Sequence, residues 1–367
     1  MKLNEICEVY SGYALKSFND NKVGLPVVKI GNILTDGTLN LEQCQFTADS
    51  VNEKYYSSKG DIYIALSGAT IGKIGVMNTD AKYVINQRVG IVRQKSDDIP
   101  QEYIKYYLLR QTDRIFQEAT GCAQPNISPK QIAEYVIPNV SRVEMQRICD
   151  VLDKVKRTID GRKMELCALD NLIKARFVEM FGNPVLNDKS WEQKSLGEIT
   201  SKIGSGATPK GGKEGYQEEG ISLIRSMNVY NGKFEYKDLA HISNEQATKL
   251  DNVTLEENDV LLNITGASVA RSCVVPSRVL PARVNQHVCI IRCKEYIIPE
   301  FLNKLLIDDN YQSLLWNIAS AGATREAITK QQVENLQIIL PPIELQYKFM
   351  DFVHQVNKSK VVLLSIK

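Results

Sequence analysis

The segment from Ser67 to Val76, SGATIGKIGV, is echoed about 200 residues later by Thr265 to Val274, TGASVARSCV. The match extends in both directions. LNEI at Leu3 corresponds to LGEI at Leu196, and VKIGNI at Val28 to IRSMNV at Ile224. GDIYIALSGAT from Gly60 corresponds to NDVLLNITGAS from Asn258, and NQRVGIVRQK from Asn86 to NQHVCIIRCK from Asn285. ISPKQIAEYVIP from Ile127 corresponds to ITKQQVENLQIILP from Ile328. The order never changes. A period this long makes the repeating unit a domain and not a solenoid turn. A chain of 367 residues must then hold two cores of one build.

Each copy reads alike. DIYIAL, RVGIVRQ, DVLLNI and HVCIIRC are β-branched runs bounded by Gly and Asn turns, which predicts strands. QEYIKYYLLRQT and PEFLNKLLIDDN space their apolar residues as helices do. The fold class is therefore α+β, two repeated and mostly β domains. Behind each domain lies a longer helical pattern. Glu144 to Phe181 contains no proline and one glycine, Gly161. Its apolar residues step by three and four from Leu152 through Ile159, Leu166 and Ile173 to Met180, with Arg162 and Arg176 in the same seam. After Pro342 a second seam runs from Phe349 and Phe352 through Val356 to Ile366, over about 24 residues. A helix of about 38 residues rises about 57 Å and needs a partner along its seam. The predicted partner is the second helix, packed antiparallel. The predicted boundaries are a first domain over 1–142, a helix over 143–182, a second domain over 183–342 and a short helix over 343–367.

Composition excludes several classes. Apolar content of 43% and charged content of 24% are those of an ordinary globular protein. No apolar run approaches the about 18 residues of a bilayer span. The opening MKLNEICEVY lacks a leader pattern, so the expected location is the cytoplasm. Eight cysteines without one CxxC pair read as reduced core residues. Net charge is only +2, but the charge is unevenly spread. Val260 to Lys294 contains no acid, and Ile62 to Ser96 contains only Asp80. Both windows hold the echoed loop, and both carry five Lys and Arg residues. A local basic surface suits a polyanion.

Two repeated domains with SGATIGK, NQR and IS…IP signatures, each followed by a heptad helix, resemble the specificity subunit of type I restriction-modification systems. MFGNPVLNDKSWEQKSLGEI, from Met180 to Ile199, resembles that family's junction between central helix and second domain. The resemblance covers essentially the whole chain. It implies that each domain is a target recognition domain reading one half of a bipartite double-stranded DNA sequence. The helices would form an antiparallel coiled coil that spaces the domains. Two modification subunits would dock there and methylate adenines with S-adenosylmethionine. Two motor-nuclease subunits, using ATP and magnesium, would complete a restriction complex. The chain itself would bind no cofactor and perform no chemistry. A spacer of about 57 Å would cover on the order of sixteen base pairs.

Base reading needs donors that reach base edges, whereas phosphate contacts need charge and amides. In the first domain the candidates are Gly68, Gly72 and Lys73 in the echoed loop, Asn86, Gln87 and Arg88, and Gln124 with Asn126 in TGCAQPNIS. Their counterparts are Gly266 and Arg271, then Asn285, Gln286 and His287, then Thr324 and Arg325 in SAGATREAIT. Lys210 and Lys213 in GATPKGGKEG add possible phosphate contacts.

Enzyme readings fail on pattern. GATIGKIG has one residue too few between its glycines for a phosphate-binding loop and lacks the Ser or Thr after the lysine. NPV at Asn183 is not the NPP-plus-aromatic motif of an amino-methyltransferase. His241, His287 and His354 have no spacing for metal or triad work. The remaining alternative is a coiled-coil adaptor that does not touch DNA.

Overall fold

The computed structural model describes residues 1–119, 125–208, 215–321 and 326–365. The chain divides into two compact units, Met1–Asp160 and Gly161–Lys367. The first unit has a four-stranded antiparallel sheet in the order Cys7–Ser11, Val89–Gln94, Ile62–Ala65, Ile74–Val76. A three-stranded sheet lies beside it in sequence, Gln45–Thr47, Leu25–Val28, Val84–Ile85, with an antiparallel and a parallel pair. The second unit repeats both sheets. Thr200–Ser205, Val288–Cys293, Val260–Asn263 and Ser272–Val274 form the larger one. Ala240–Ile242, Ile221–Ile224 and Ala282–Val284 form the smaller, again with one parallel pair. The predicted strands sit where the β-branched runs placed them.

These central strands are unbroken apolar runs because both of their faces are covered. Side chains alternate between two cores. In the first unit Ile62, Ile64 and Val92 enter one core, while Tyr63, Ala65, Val89 and Ile91 enter another. In the second unit Val260, Leu262, Cys289 and Ile291 face one core, and Leu261, Val288 and Ile290 the other. The helices Gln101–Arg110 and Pro299–Leu306 follow at matching points. Two more, Thr112–Glu118 and Asp309–Ser320, were not anticipated. The IS and IT signatures prove to be helix caps. Ser128 Oγ accepts from the Gln131 amide while Gln131 Oε1 accepts from the Ser128 amide. Thr329 and Gln332 make the same reciprocal pair.

The long helix spans Arg142–Phe181 and the C-terminal helix Ile343–Ser365. Within the second unit they run antiparallel. Phe177 meets Phe349, Arg176 lies over the Phe352 ring, and Asp170 pairs with Lys360. The seam differs from its sequence-based form. Ile173, Phe177 and Phe181 are buried, in steps of four, whereas the predicted Arg176 and Met180 are only half-buried. Likewise Val353, not Phe352, is fully buried beside Phe349, Met350 and Val356. The reason is that this end of the helix enters a globular core. Phe177, Phe181, Phe301 and Phe349 form one aromatic cluster, with ring centroids 4.9 to 6.3 Å apart. Core packing follows the true helical period, and a 3.5-residue seam holds only between supercoiled helices. At the other end Met145 and Cys149 belong to the first unit's core, while Val155 and Ile159 are each 49% exposed. No helix among the described residues is long and apolar enough to cross a membrane.

Candidate nucleic-acid interface

The echoed loop is one backbone shape made twice. Gly68–Thr70 and Gly266–Ser268 are single 3-10 turns entered through a left-handed glycine, φ 76° and 72°. A second left-handed residue closes each loop, Gly72 at φ 79° and Ala270 at φ 70°. The amides of Gly72 and Ala270 return to Ala65 O and Asn263 O. Their carbonyls accept from Thr112 Oγ1 at 3.3 Å and Gln312 Nε2 at 2.8 Å. Amides that a phosphate-binding loop would leave free are thus spent internally. Gly72, a candidate for close approach to a ligand, is instead buried against the Thr112–Glu118 helix. Its role is to hold the turn. Gly266 does face open space, and a Cβ at Gly68 would meet only Ile30 Cδ1, at 3.9 Å.

Onto each loop docks the segment that precedes the helix cap. Gly68 N donates to Pro125 O and Ile127 N to Leu66 O; Gly266 N donates to Glu326 O and Ile328 N to Ile264 O. Ser67 therefore lies opposite Asn126, and Thr265 opposite Ala327. The third strand of each site is the NQR or NQH turn. Asn86 and Asn285 are buried, and their Oδ1 atoms accept from the amides of Arg88 at 3.2 Å and His287 at 3.0 Å. These asparagines brace the turn and present nothing outward. The residues they project are Gln87, Arg88 and Gln286, all exposed, and half-buried His287.

Three of the candidates, Gln87, Arg88 and Asn126, line one cleft of about 500 Å³ together with Ser67 and Ser11. No acid lines it. The Arg88 guanidinium has no ion pair or hydrogen bond among the described residues, and Ser67 Oγ is buried without a partner. The second unit carries a cleft of about 390 Å³ lined by Thr265, Gly266, Arg271, His287 and Tyr230. Thr265 Oγ1 lies 2.5 Å from His287 Nδ1, and the Arg271 guanidinium stands 4.5 Å over the Tyr230 ring. Gln286 Oε1 accepts from the Thr208 amide at 3.1 Å. Lys73 sits half-buried on the echoed loop and lines neither cleft. Gln124, Lys210, Lys213, Thr324 and Arg325 lie outside the described residues. Ser67, Thr265 and Tyr230 escaped the sequence reading. The first two were in plain sight in the repeat, but nothing local marks Tyr230 as the shelf for an arginine.

The basic windows have a second explanation. Arg93 grips buried Asp61 with two hydrogen bonds, 2.8 and 2.6 Å, and Arg292 grips buried Asp259 with two at 2.8 Å. The bond to Asp61 raises the Arg93 pKa, and that to Asp259 raises the Arg292 pKa. Arg283 bonds Asp251 at 2.7 Å, and Arg278 packs over Tyr236. Each window begins one residue after the acid that neutralises it, Asp61 or Asp259. Much of the apparent excess is therefore internal. Arg88 remains in the first cleft and Arg271 in the second, with Lys73 on the echoed loop outside both.

A donor-lined cleft built twice on one scaffold defines a tandem-repeat binding protein. No group of three or more His, Cys, Asp or Glu side chains among the described residues could hold a metal ion. Residues 1–168 and 188–364 match the family model described as the type I restriction modification DNA specificity domain. The match covers most of the chain, and the chain belongs to that family. It is 21% identical to the type I restriction enzyme EcoBI specificity subunit of Escherichia coli, over 97% of this chain and 78% of that one. It is 20% identical to the MjaVIII specificity subunit of Methanocaldococcus jannaschii, over 80% of this chain and 72% of that one. The crystal structure of a type I S subunit from M. genitalium matches all of this chain and 92% of its own, with TM-score 0.54 and 14% identity. A further solved chain, from work on assembly and conformational transition of the type I R-M system, matches 99% of this chain and 90% of its own, with TM-score 0.59 and 17% identity. Membership in this family makes the chain a DNA specificity component and not a catalytic subunit.

Proposed function

We propose that each unit reads one half of a bipartite DNA sequence, and that methyl transfer and cleavage are carried out by partner subunits. The observation that carries this reading is the duplicated cleft. One backbone frame appears twice, and different exposed donors stand on it. Two identical binding tasks would need no such difference, whereas two half-sites of different sequence would. The antiparallel helices are suited to space the units and to receive two modification subunits, with two motor-nuclease subunits joining them. S-adenosylmethionine, ATP and magnesium would then belong to those partners. The adaptor reading has no use for Arg88 and Arg271, neither of which meets an acid among the described residues, at the two clefts.

Footprinting the chain, assembled with its modification subunits, on genomic fragments tests this. A protected split sequence is expected, with affinity falling steeply as salt rises, by about 0.9 in log–log slope per phosphate neutralised. A flat salt response would favour the adaptor. Replacing residues 1–142 with the corresponding domain of a relative should change one half of the methylated sequence and leave the other.

A further inference from the structure

We infer that the position held by Arg88 in the first unit and His287 in the second is a base-reading position of each cleft, and that Arg88 takes a guanine. The inference rests on the DNA reading above and assigns a role within it. DNA offers the same phosphates at both half-sites but different base edges. A phosphate-contacting position should therefore keep its charge in both copies of the repeat, and a base-reading position should not. Lys73 and Arg271, at equivalent points of the echoed loop, stay cationic. Gln87 and Gln286 stay identical. Arg88 becomes His287, and Asn126 becomes Ala327, while the turn braces, the Leu66–Arg88 and Ile264–His287 bonds and the Ser67–Asn126 and Thr265–Ala327 bridges recur in the two units.

The surroundings favour a base over a phosphate for Arg88. Its guanidinium is unpaired among the described residues and shares an acid-free cleft with the amides of Gln87 and Asn126. A guanidinium fork matches the O6 and N7 acceptors of guanine in the major groove. His287 is a different instrument. Thr265 Oγ1 engages its Nδ1 and Gln286 Nε2 lies 3.4 Å from its Nε2, so the ring has at most Nε2, shared with Gln286, to meet one atom of a ligand. The two heads would thus differ in the number of base atoms they can engage at this point.

The test uses the full chain assembled with its modification subunits on a library of randomised duplexes, with the selected sequence as readout. The wild type should select a guanine in the half assigned to residues 1–142 by domain exchange. Arg88→Lys keeps the charge and loses the fork. It should erase the preference at that one base pair, lower affinity for the wild-type sequence roughly tenfold to a hundredfold, and leave the other half intact. His287→Arg should alter one base pair of the other half only. The retained half, together with an unchanged melting temperature, shows that each variant is folded. An unaltered sequence for Arg88→Lys, or a uniform loss across all duplexes, would mark a phosphate contact and overturn the inference. A wild-type assembly that selects no sequence would bring down the DNA reading itself.

Discussion

At the residue scale the two copies solve the same problems with different chemistry. Ala270 holds a left-handed backbone that Gly72 holds in the first unit. A left-handed Ala costs roughly 1–2 kcal/mol that Gly avoids. Ala270→Gly should therefore be neutral or stabilise by up to about 1 kcal/mol. Gly72→Ala should destabilise, because its Cβ would also come within 3.1 Å of Thr112 O. Urea unfolding of both variants checks this pair. The ion pairs are less forgiving. Asp61 is about 2% exposed, and removing its partner with Arg93→Ala leaves a buried carboxylate. A loss of about 3–5 kcal/mol is expected from the same measurement. The thiols divide in the same spirit. Burial pushes Cys7, Cys273 and Cys289 up to about 12, so they stay protonated at pH 8 while exposed Cys167 is accessible. Iodoacetamide at pH 8 should label Cys167 ahead of Cys7, Cys273 and Cys289, read by mass spectrometry. The sign for stability follows from the raised values. Buried thiols are neutral below the ordinary thiol range, and their contribution is lost as pH climbs toward about 12.

At the scale of elements, the strands were legible and the helix seams only partly so. DIYIAL and HVCIIRC announce themselves as short, β-branched apolar runs bounded by Gly and Asn turns, too short for a buried helix. The long helix was legible in extent, since its run has no proline. Its seam was not, because heptad counting cannot tell where a helix leaves a rod and enters a core. Phe177 is the residue that decides the matter, sitting against Phe181, Phe301 and Phe349. Phe177→Ala should cost about 3–5 kcal/mol. The mutation at Arg176, the heptad choice, should cost under about 1 kcal/mol, since its pair with Glu179 is exposed. Thermal melts of the two variants separate the two registers. The helices Thr112–Glu118 and Asp309–Ser320 were missed because they follow directly on better-defined ones, with no Gly or Pro to mark the break.

At the scale of the molecule, the duplication was legible because two short loops recur in fixed order with everything between them. The binding surface was legible only in outline. The charge pattern drew attention to the echoed loops partly by accident, since Arg93 and Arg292 are structural. Of the NQR and NQH signatures, the first residue braces and the last one projects, a division that spacing alone does not reveal. Lys73→Gln and Arg271→Gln should each lower DNA affinity evenly across sequences and reduce the salt slope by about 1. Titrations of the assembled complex at several salt concentrations read both quantities. The braced turn has a longer consequence. Asn86 and Asn285 secure the chain through the amide of the next residue but one, so they hold it whatever side chain that residue bears, proline excepted. Replacement at that place should leave folding untouched. On the base-reading proposal, a lineage carrying this scaffold could drift from one recognition sequence to another by single steps, without passing through an unfolded ancestor.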